Sequence, residues 1–246
     1  MIPLLQGDCV DLIKELCIKV TGRGGADDDL ELMSQLLPLI SASLFKLKEQ
    51  FACSQVLGQL WSPLILQVNN LMMRPIQGTD DLLQHVTLQK AFLSLLHALS
   101  TSGVGVNFSL AQRHPLLEGM LMRIVEGFGG AVASSDAIGL LRSFCGVISR
   151  CQLYLSNEFI NLTVIPVLLH KSLPEIYKNL DISSKRSVAS LPAAFLNLLQ
   201  DFLQMLRSLQ QNGNLAGEFG NWNGIDLIGG DLKESRGQLV NYFLSI

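Results

Sequence analysis

The stretch Phe195-Leu-Asn-Leu-Leu-Gln-Asp-Phe-Leu-Gln-Met-Leu206 decides how this chain is read. Phe195, Leu198, Leu199, Phe202, Leu203 and Leu206 recur at spacings of three, four and seven, which places all six on one face of an α-helix. The same period returns in Leu88, Phe92, Leu95, Leu96 and Leu99, and again in Leu140, Phe144, Val147 and Ile148. No stretch alternates in the manner of a half-buried strand. The chain therefore reads as all-α, a series of amphipathic helices.

Comparable stripes lie 52 residues apart from Phe92 to Phe144 and 58 apart from Phe144 to Phe202. Two helices with their loops fit each interval. Helix pairs repeated at this distance suggest a HEAT-like α-α superhelix, a solenoid of antiparallel pairs. A plain helical bundle is the alternative.

Start and stop signals set the helix limits. Asp8 caps a short helix to about Val20, and Gly22, Gly24 and Gly25 form a loop. Asp27 to Asp29 put negative charge at the start of a helix near 29–50, where the macrodipole favours it, and Pro38 kinks it. Further helices are expected from Ser54 to Met73 with Pro63 inside, from Thr79 to about Ser100, over 109–127, and from Ser134 or Ser135 to Arg150. Ser156 starts the next, which Pro166 and Pro174 interrupt. Ser183 or Ser184 begins a long helix to Gln211, which Pro192 either divides or enters near its first turn. Asn212 to Gly230 carries six glycines and reads as a loop, and Asp231 caps a final helix. Residues 1–246 read as a single helical domain. Apolar ends at Ile2–Leu5 and Val240–Ile246 suggest a piece of a longer parent.

The chain is 48% hydrophobic and 16% charged, with a mean hydropathy of +0.35. Average usage is about 25% charged, so much of the surface is expected to be buried. The apolar runs are too interrupted for the roughly 20 residues a spanning helix needs. Arg74, Lys90, His97, Arg142, Arg150 and Lys171 fall inside or beside them. The net charge is −3, and no basic block of the kind that announces nucleic acid is present. Residues 101–210 carry nine basic against seven acidic groups.

Five cysteines, an odd number with no CxxC pair, read as reduced core thiols (Cys9, Cys17, Cys53, Cys145, Cys151). The four histidines never pair at ligand spacing, so no metal site is expected. No Gly-x-Ser-x-Gly elbow or paired active-site carboxylates occur, and the chain does not read as an enzyme. Gly22-Arg-Gly-Gly25 lacks the Gly-Lys-Ser/Thr ending of a phosphate loop, and three aspartates follow it. The sequons at Asn107 and Asn161 read as chance.

Lys171, Lys178, Lys185 and Arg186 cluster in a short stretch. One reading is phosphate contact, since RNA is often recognised through backbone and shape. The other, which the small positive balance favours, is an ordinary solvated helix face. Arg113, His114 and Arg123 are read in the same way. Trp222, in Gly220-Asn-Trp-Asn-Gly224, could stack on a base or fold its loop back onto the helices.

The run Gln89-Lys-Ala-Phe-Leu-Ser-Leu-Leu-His-Ala-Leu-Ser-Thr-Ser-Gly103 resembles a helix and exit turn late in exportin-T, the family of receptors that carry tRNA out of the nucleus. Leu116 to Val132, with Met122-Arg-Ile-Val-Glu-Gly127, is similar to the following helix. So are Ile138 to Leu155, and Val164-Ile-Pro-Val-Leu-Leu-His170 with the turn Leu180-Asp-Ile-Ser-Ser184. The resemblance covers roughly 55–246, as helix order and turns rather than a sharp motif. It implies a C-terminal portion of a HEAT-repeat karyopherin that shuttles between nucleus and cytoplasm. The implied partners are tRNA, Ran in its GTP form (mostly through regions this chain lacks) and nuclear pore proteins, with no cofactor. A helical protein-binding scaffold or adaptor without an RNA role is the alternative function.

Overall fold

The structure, a computed structural model, describes residues 11, 15, 18–19, 28–46, 51–101, 115–127, 134–180 and 191–245. Among the described residues the longer helical elements are α1 (Asp28–Lys46), α2 (Phe51–Met72), α3 (Thr79–Thr101), α4 (Pro115–Glu126), α5 (Ser134–Cys151), a composite α6 over residues 157–178, α7 (Ala193–Gln211) and α8 (Leu232–Ser245). Asp11, Glu15, Ile18 and Lys19 are helical as well, inside the helix expected from Asp8. The chain divides into two compact units, Met1–Leu121 and Met122–Ile246.

Within the first unit, α1 packs along α3 and touches α2. Leu30, Met33, Leu36, Leu37, Ile40 and Leu44 form the buried stripe of α1. The expected stripe of α3 is buried in full, and Ala91, Leu93 and Ala98 are buried with it. A helix that is apolar nearly all round is a central helix, which explains why Leu93 and Ala98, off the stripe, are also shielded. Asp80 and Asp81 lie in its first turn, where the carboxylates suit the dipole. Asp81 Oδ2 accepts the Gln77 backbone N–H at 3.0 Å.

Within the second unit, α5 packs along α7. Two bonds give the direction. Arg142 Nε donates to Asp201 Oδ2 at 2.6 Å, and ten residues on, just past the end of α5, Gln152 Nε2 donates to Ser208 Oγ at 3.3 Å. Both partners advance together, so the two helices run parallel. Arg236 Nη1 meets Gln200 Oε1 at 3.1 Å and Arg207 Nη2 meets the Gly230 carbonyl at 2.6 Å, so α8 runs antiparallel to α7. Parallel packing of helices with a helix between them in sequence is the layering of stacked helix repeats. An up-and-down bundle would instead pair sequence neighbours. The fold is all-α and solenoid-like, as the stripes predict.

The segment after Ser156 departs from expectation. Ser156 caps it, its Oγ accepting the Phe159 N–H at 3.1 Å. Pro166 and Pro174 do not interrupt the helix, which continues from residue 157 to 178 through two π-turns, Ile160–Val164 and Leu168–Ser172. Each π-turn ends two residues before a proline. A proline ring removes one backbone bond and clashes with the carbonyl four residues back, and a π-turn displaces that carbonyl while keeping the rod intact.

The start of α7 also differs. The long helix expected from Ser183 or Ser184 instead begins at Ala193, because Pro192 is its N-cap with extended backbone; residues 181–190 lie outside the described residues. The helix ends in a Schellman motif. Gly213 at φ +72° lets its N–H reach the Gln210 carbonyl at 2.9 Å and the Asn214 N–H reach that of Leu209 at 2.8 Å.

The glycine-rich stretch is likewise more ordered than a loop. Gly217–Gly220 is a 3₁₀ turn, and Asn221–Trp222 (β1) pairs antiparallel with Ile225–Asp226 (β2). Asn223 at φ +52° and Gly224 at φ +79° form the connection. Positive φ at both central residues is the type I′ condition that Asn-Gly satisfies.

Candidate nucleic-acid interface

Of the four candidate RNA-contacting residues, the structure describes Lys171 and Lys178, both exposed on α6. Lys185 and Arg186 lie outside the described residues. The two lysines are seven residues apart, close to one helix face. Lys171 has a structural task as well. Its Nζ donates to the Glu126 carbonyl at 3.2 Å, beside the bond of Ser172 Oγ to the Val125 carbonyl at 3.2 Å. These are the last carbonyls of α4, where a cation also suits the dipole. Arg123 is exposed on α4, while Arg113 and His114 lie outside the described residues.

A polar network fastens the loop after α7. Asn161, exposed to an intermediate degree on α6, uses both ends of its amide. Nδ2 donates to the Asn214 carbonyl at 2.9 Å, and Oδ1 accepts the Ala216 N–H at 2.7 Å. Asn214 Nδ2 in turn donates to Gln152 Oε1 at 3.0 Å. The Asn161 sequon is thus part of the packing of this loop. Replacing Asn161 with Ala leaves the Ala216 N–H and the Asn214 carbonyl without these partners; both are only half-buried, so the cost is about 0.5–1.5 kcal/mol, the net worth of an ordinary hydrogen bond. Chemical denaturation of N161A is expected to show a loss within that range, and Asn161→Asp, which keeps the acceptor, about half of it.

Trp222 folds back onto the helices. It is 7% exposed, with its ring centroid 4.8 Å from Tyr242 and 5.8 Å from His170, both edge-on. It is an anchor for the hairpin and is not displayed for a base.

Between α5 and α7 runs a polar groove of about 360 Å³. Arg142 and Asp201 span it; Gly146 and Ser149 line its α5 side with Arg150, and Gln204 and Ser208 its α7 side. Composition could not announce it, because Arg142 and Asp201 are 59 residues apart and neither belongs to a basic run.

Cys145 and Cys151 are free and buried, and burial holds the Cys145 thiol far up in its protonated form. His85 is buried on α3, and burial pushes its imidazole below the ordinary value, with Asp81 opposing and Arg74 assisting. Among the described residues no cluster of His, Cys, Asp and Glu could hold a metal ion. None of their helices is long and apolar enough to cross a membrane.

A family model described as Exportin-T matches residues 12–134, half of the 246 residues. The match contains the Gln89–Gly103 and Leu116–Val132 segments and extends the likeness toward the start of the chain, beyond the stretch from about residue 55 that the sequence resemblance covered. The segments from Ile138 onward lie past it. Comparison with curated proteins and with solved structures gave no match.

Proposed function

The chain belongs to the Exportin-T family, and on that premise we propose that it is a segment of a nuclear transport receptor that contributes to Ran-GTP-dependent export of tRNA. The single observation that carries this reading is the family match over residues 12–134. The stacked-helix layering supports it, since solenoids offer the extended surfaces on which large cargo is held. In this reading the receptor shuttles between nucleus and cytoplasm. Ran in its GTP form and nuclear pore proteins are engaged mostly through parts of the parent outside this chain. The chain carries no catalytic role; its part is to hold one side of the RNA.

Lys171, Lys178, Lys185 and Arg186 are proposed to face phosphates. The exposed positions of Lys171 and Lys178 on one side of α6 favour this. The reading is tested by reversing those two charges, Lys171→Glu with Lys178→Glu, in the full-length receptor bound to Ran-GTP. Each lost phosphate contact removes roughly 0.7–0.9 from the slope of log affinity against log salt. The double variant is expected to bind tRNA roughly tenfold more weakly at 0.15 M salt, with a visibly shallower slope. Equal affinity and slope would remove these lysines from the interface.

A further inference from the structure

We propose that the groove between α5 and α7 is a binding site for the ribose-phosphate backbone of RNA, a site that composition did not reveal. The inference rests on the tRNA-receptor reading above and adds to it a surface, the class of group it takes and the residues that take it.

The argument starts from Arg142. Asp201 Oδ2 holds this side chain through Nε alone, at 2.6 Å. Its two terminal nitrogens have no partner among the described residues. The side chain is 42% exposed. A guanidinium fixed at one nitrogen, with its remaining donors facing solvent, is oriented in advance for an oxyanion. The carboxylate acts here as a positioning group, and its own charge is largely answered by the arginine it holds.

Arg150 lies eight residues along the same helix, about 12 Å away by the helical rise; it is exposed and keeps a contact of its own within the molecule, so it adds its charge to the groove while Arg142 supplies the open donors. Midway between them is Gly146, where a Cβ would meet nothing within 4 Å. The floor between the two cations is therefore bare backbone, and a chain laid along the groove can approach it closely. The opposite wall supplies Gln204, exposed and with no side-chain bond among the described residues, beside Ser208, whose hydroxyl is already held by Gln152 Nε2 and the Ser149 carbonyl at 3.3 and 3.4 Å.

The lining decides the class of occupant. It contains no Leu, Ile, Val, Met or aromatic side chain. Protein partners are anchored by buried aromatic and aliphatic groups at the centre of the contact, and this groove offers none. Arginine forks spaced along a helix, with hydroxyl and amide groups between, match the phosphates and 2′-hydroxyls through which proteins hold RNA.

The test uses the full-length receptor with Ran-GTP and tRNA, comparing wild type, the Arg142→Gln and Arg150→Gln double variant, and the Arg142→Lys and Arg150→Lys double variant. Both positions are exposed, and an exposed ion pair contributes little to stability, so the variants are expected to melt close to wild type. The glutamine variant is expected to bind tRNA roughly tenfold more weakly, with a salt slope smaller by roughly 1–2 for two phosphate contacts. The lysine variant is expected to recover the slope and part of the affinity. Wild-type binding with an unchanged glutamine variant overturns the groove and leaves the receptor reading standing. Failure of the wild type itself to bind tRNA overturns that reading and the groove with it. A glutamine variant that loses binding to a polyglutamate peptide but keeps its tRNA affinity assigns the groove to an acidic protein segment and overturns the RNA assignment.

Discussion

Replacing Phe195 with Ala is expected to cost about 3–5 kcal/mol, the range for removing a buried phenylalanine ring. Phe195 is fully buried at the start of α7. Its ring centroid lies 5.9 Å from Tyr177 of α6 and 6.0 Å from Phe243 of α8. Tyr177 and Phe243 are themselves 5.7 Å apart. One side chain therefore joins three helices, and its loss opens a cavity that none of the three can fill without moving the others. Whole domains are stable by only about 5–15 kcal/mol, so Phe195→Ala removes a large share. Phe195→Leu keeps most of the apolar volume and is expected to lose less than half as much. Denaturant unfolding followed by far-UV circular dichroism reads both. A loss below about 1 kcal/mol for the alanine variant would mean that this aromatic junction is not formed.

The second large effect is expected at Trp222, and its signature is local. Trp222→Ala removes the side chain that docks β1 onto Tyr242 and His170. Phe219, Ile225 and Leu227, buried beside it in sequence, remain. An isolated hairpin of two-residue strands has no stability of its own, so the segment from Gly217 to Gly230 depends on that docking. The expected cost of losing that docking is about 3–5 kcal/mol. Hydrogen exchange is expected to show loss of protection in residues 217–230, while the amides of α5 and the middle of α7 keep theirs. Uniform loss across α5 and α7 would show that the tryptophan instead supports the helix pair itself.

The helices were legible because each buries one face at a regular period. The stripes at Leu88–Leu99, Leu140–Ile148 and Phe195–Leu206 are buried at every named position. Asp80 and Asp81 marked the start of α3 by charge, and Asp231 that of α8. The π-turns were not legible, since the prolines that signal a break are the same residues a π-turn accommodates. Only the packing of Phe159, Ile160, Val164, Leu168 and Leu169 along one rod favours continuity. The hairpin did have a signal in Asn223-Gly224, with Trp222 and Ile225 on either side, but strands of two residues are too short to show an alternating pattern. Six glycines in the segment then outweighed it. The groove was hidden for a different reason. Its opposing charges come from helices separated by α6, and only the parallel packing of α5 on α7 brings Arg142 to Asp201.

The stripes say why there is a stack of helices and are silent on what the stack holds. Buried positions answer to volume and shape, whereas the candidate contacts, Lys171, Lys178, Arg142 and Arg150, are all exposed. Their meaning depends on a partner, which is why the functional reading comes from the family match and not from periodicity.

A tRNA titration of the protein, with and without GTP-loaded Ran, at several salt concentrations, tests the proposed transport function most directly. Binding is expected to tighten strongly when Ran-GTP is present and to weaken steeply with salt, because phosphate contacts release counterions. A folded receptor that binds no tRNA at low salt in the presence of Ran-GTP would contradict it, and would leave the chain as part of a helical scaffold for protein partners.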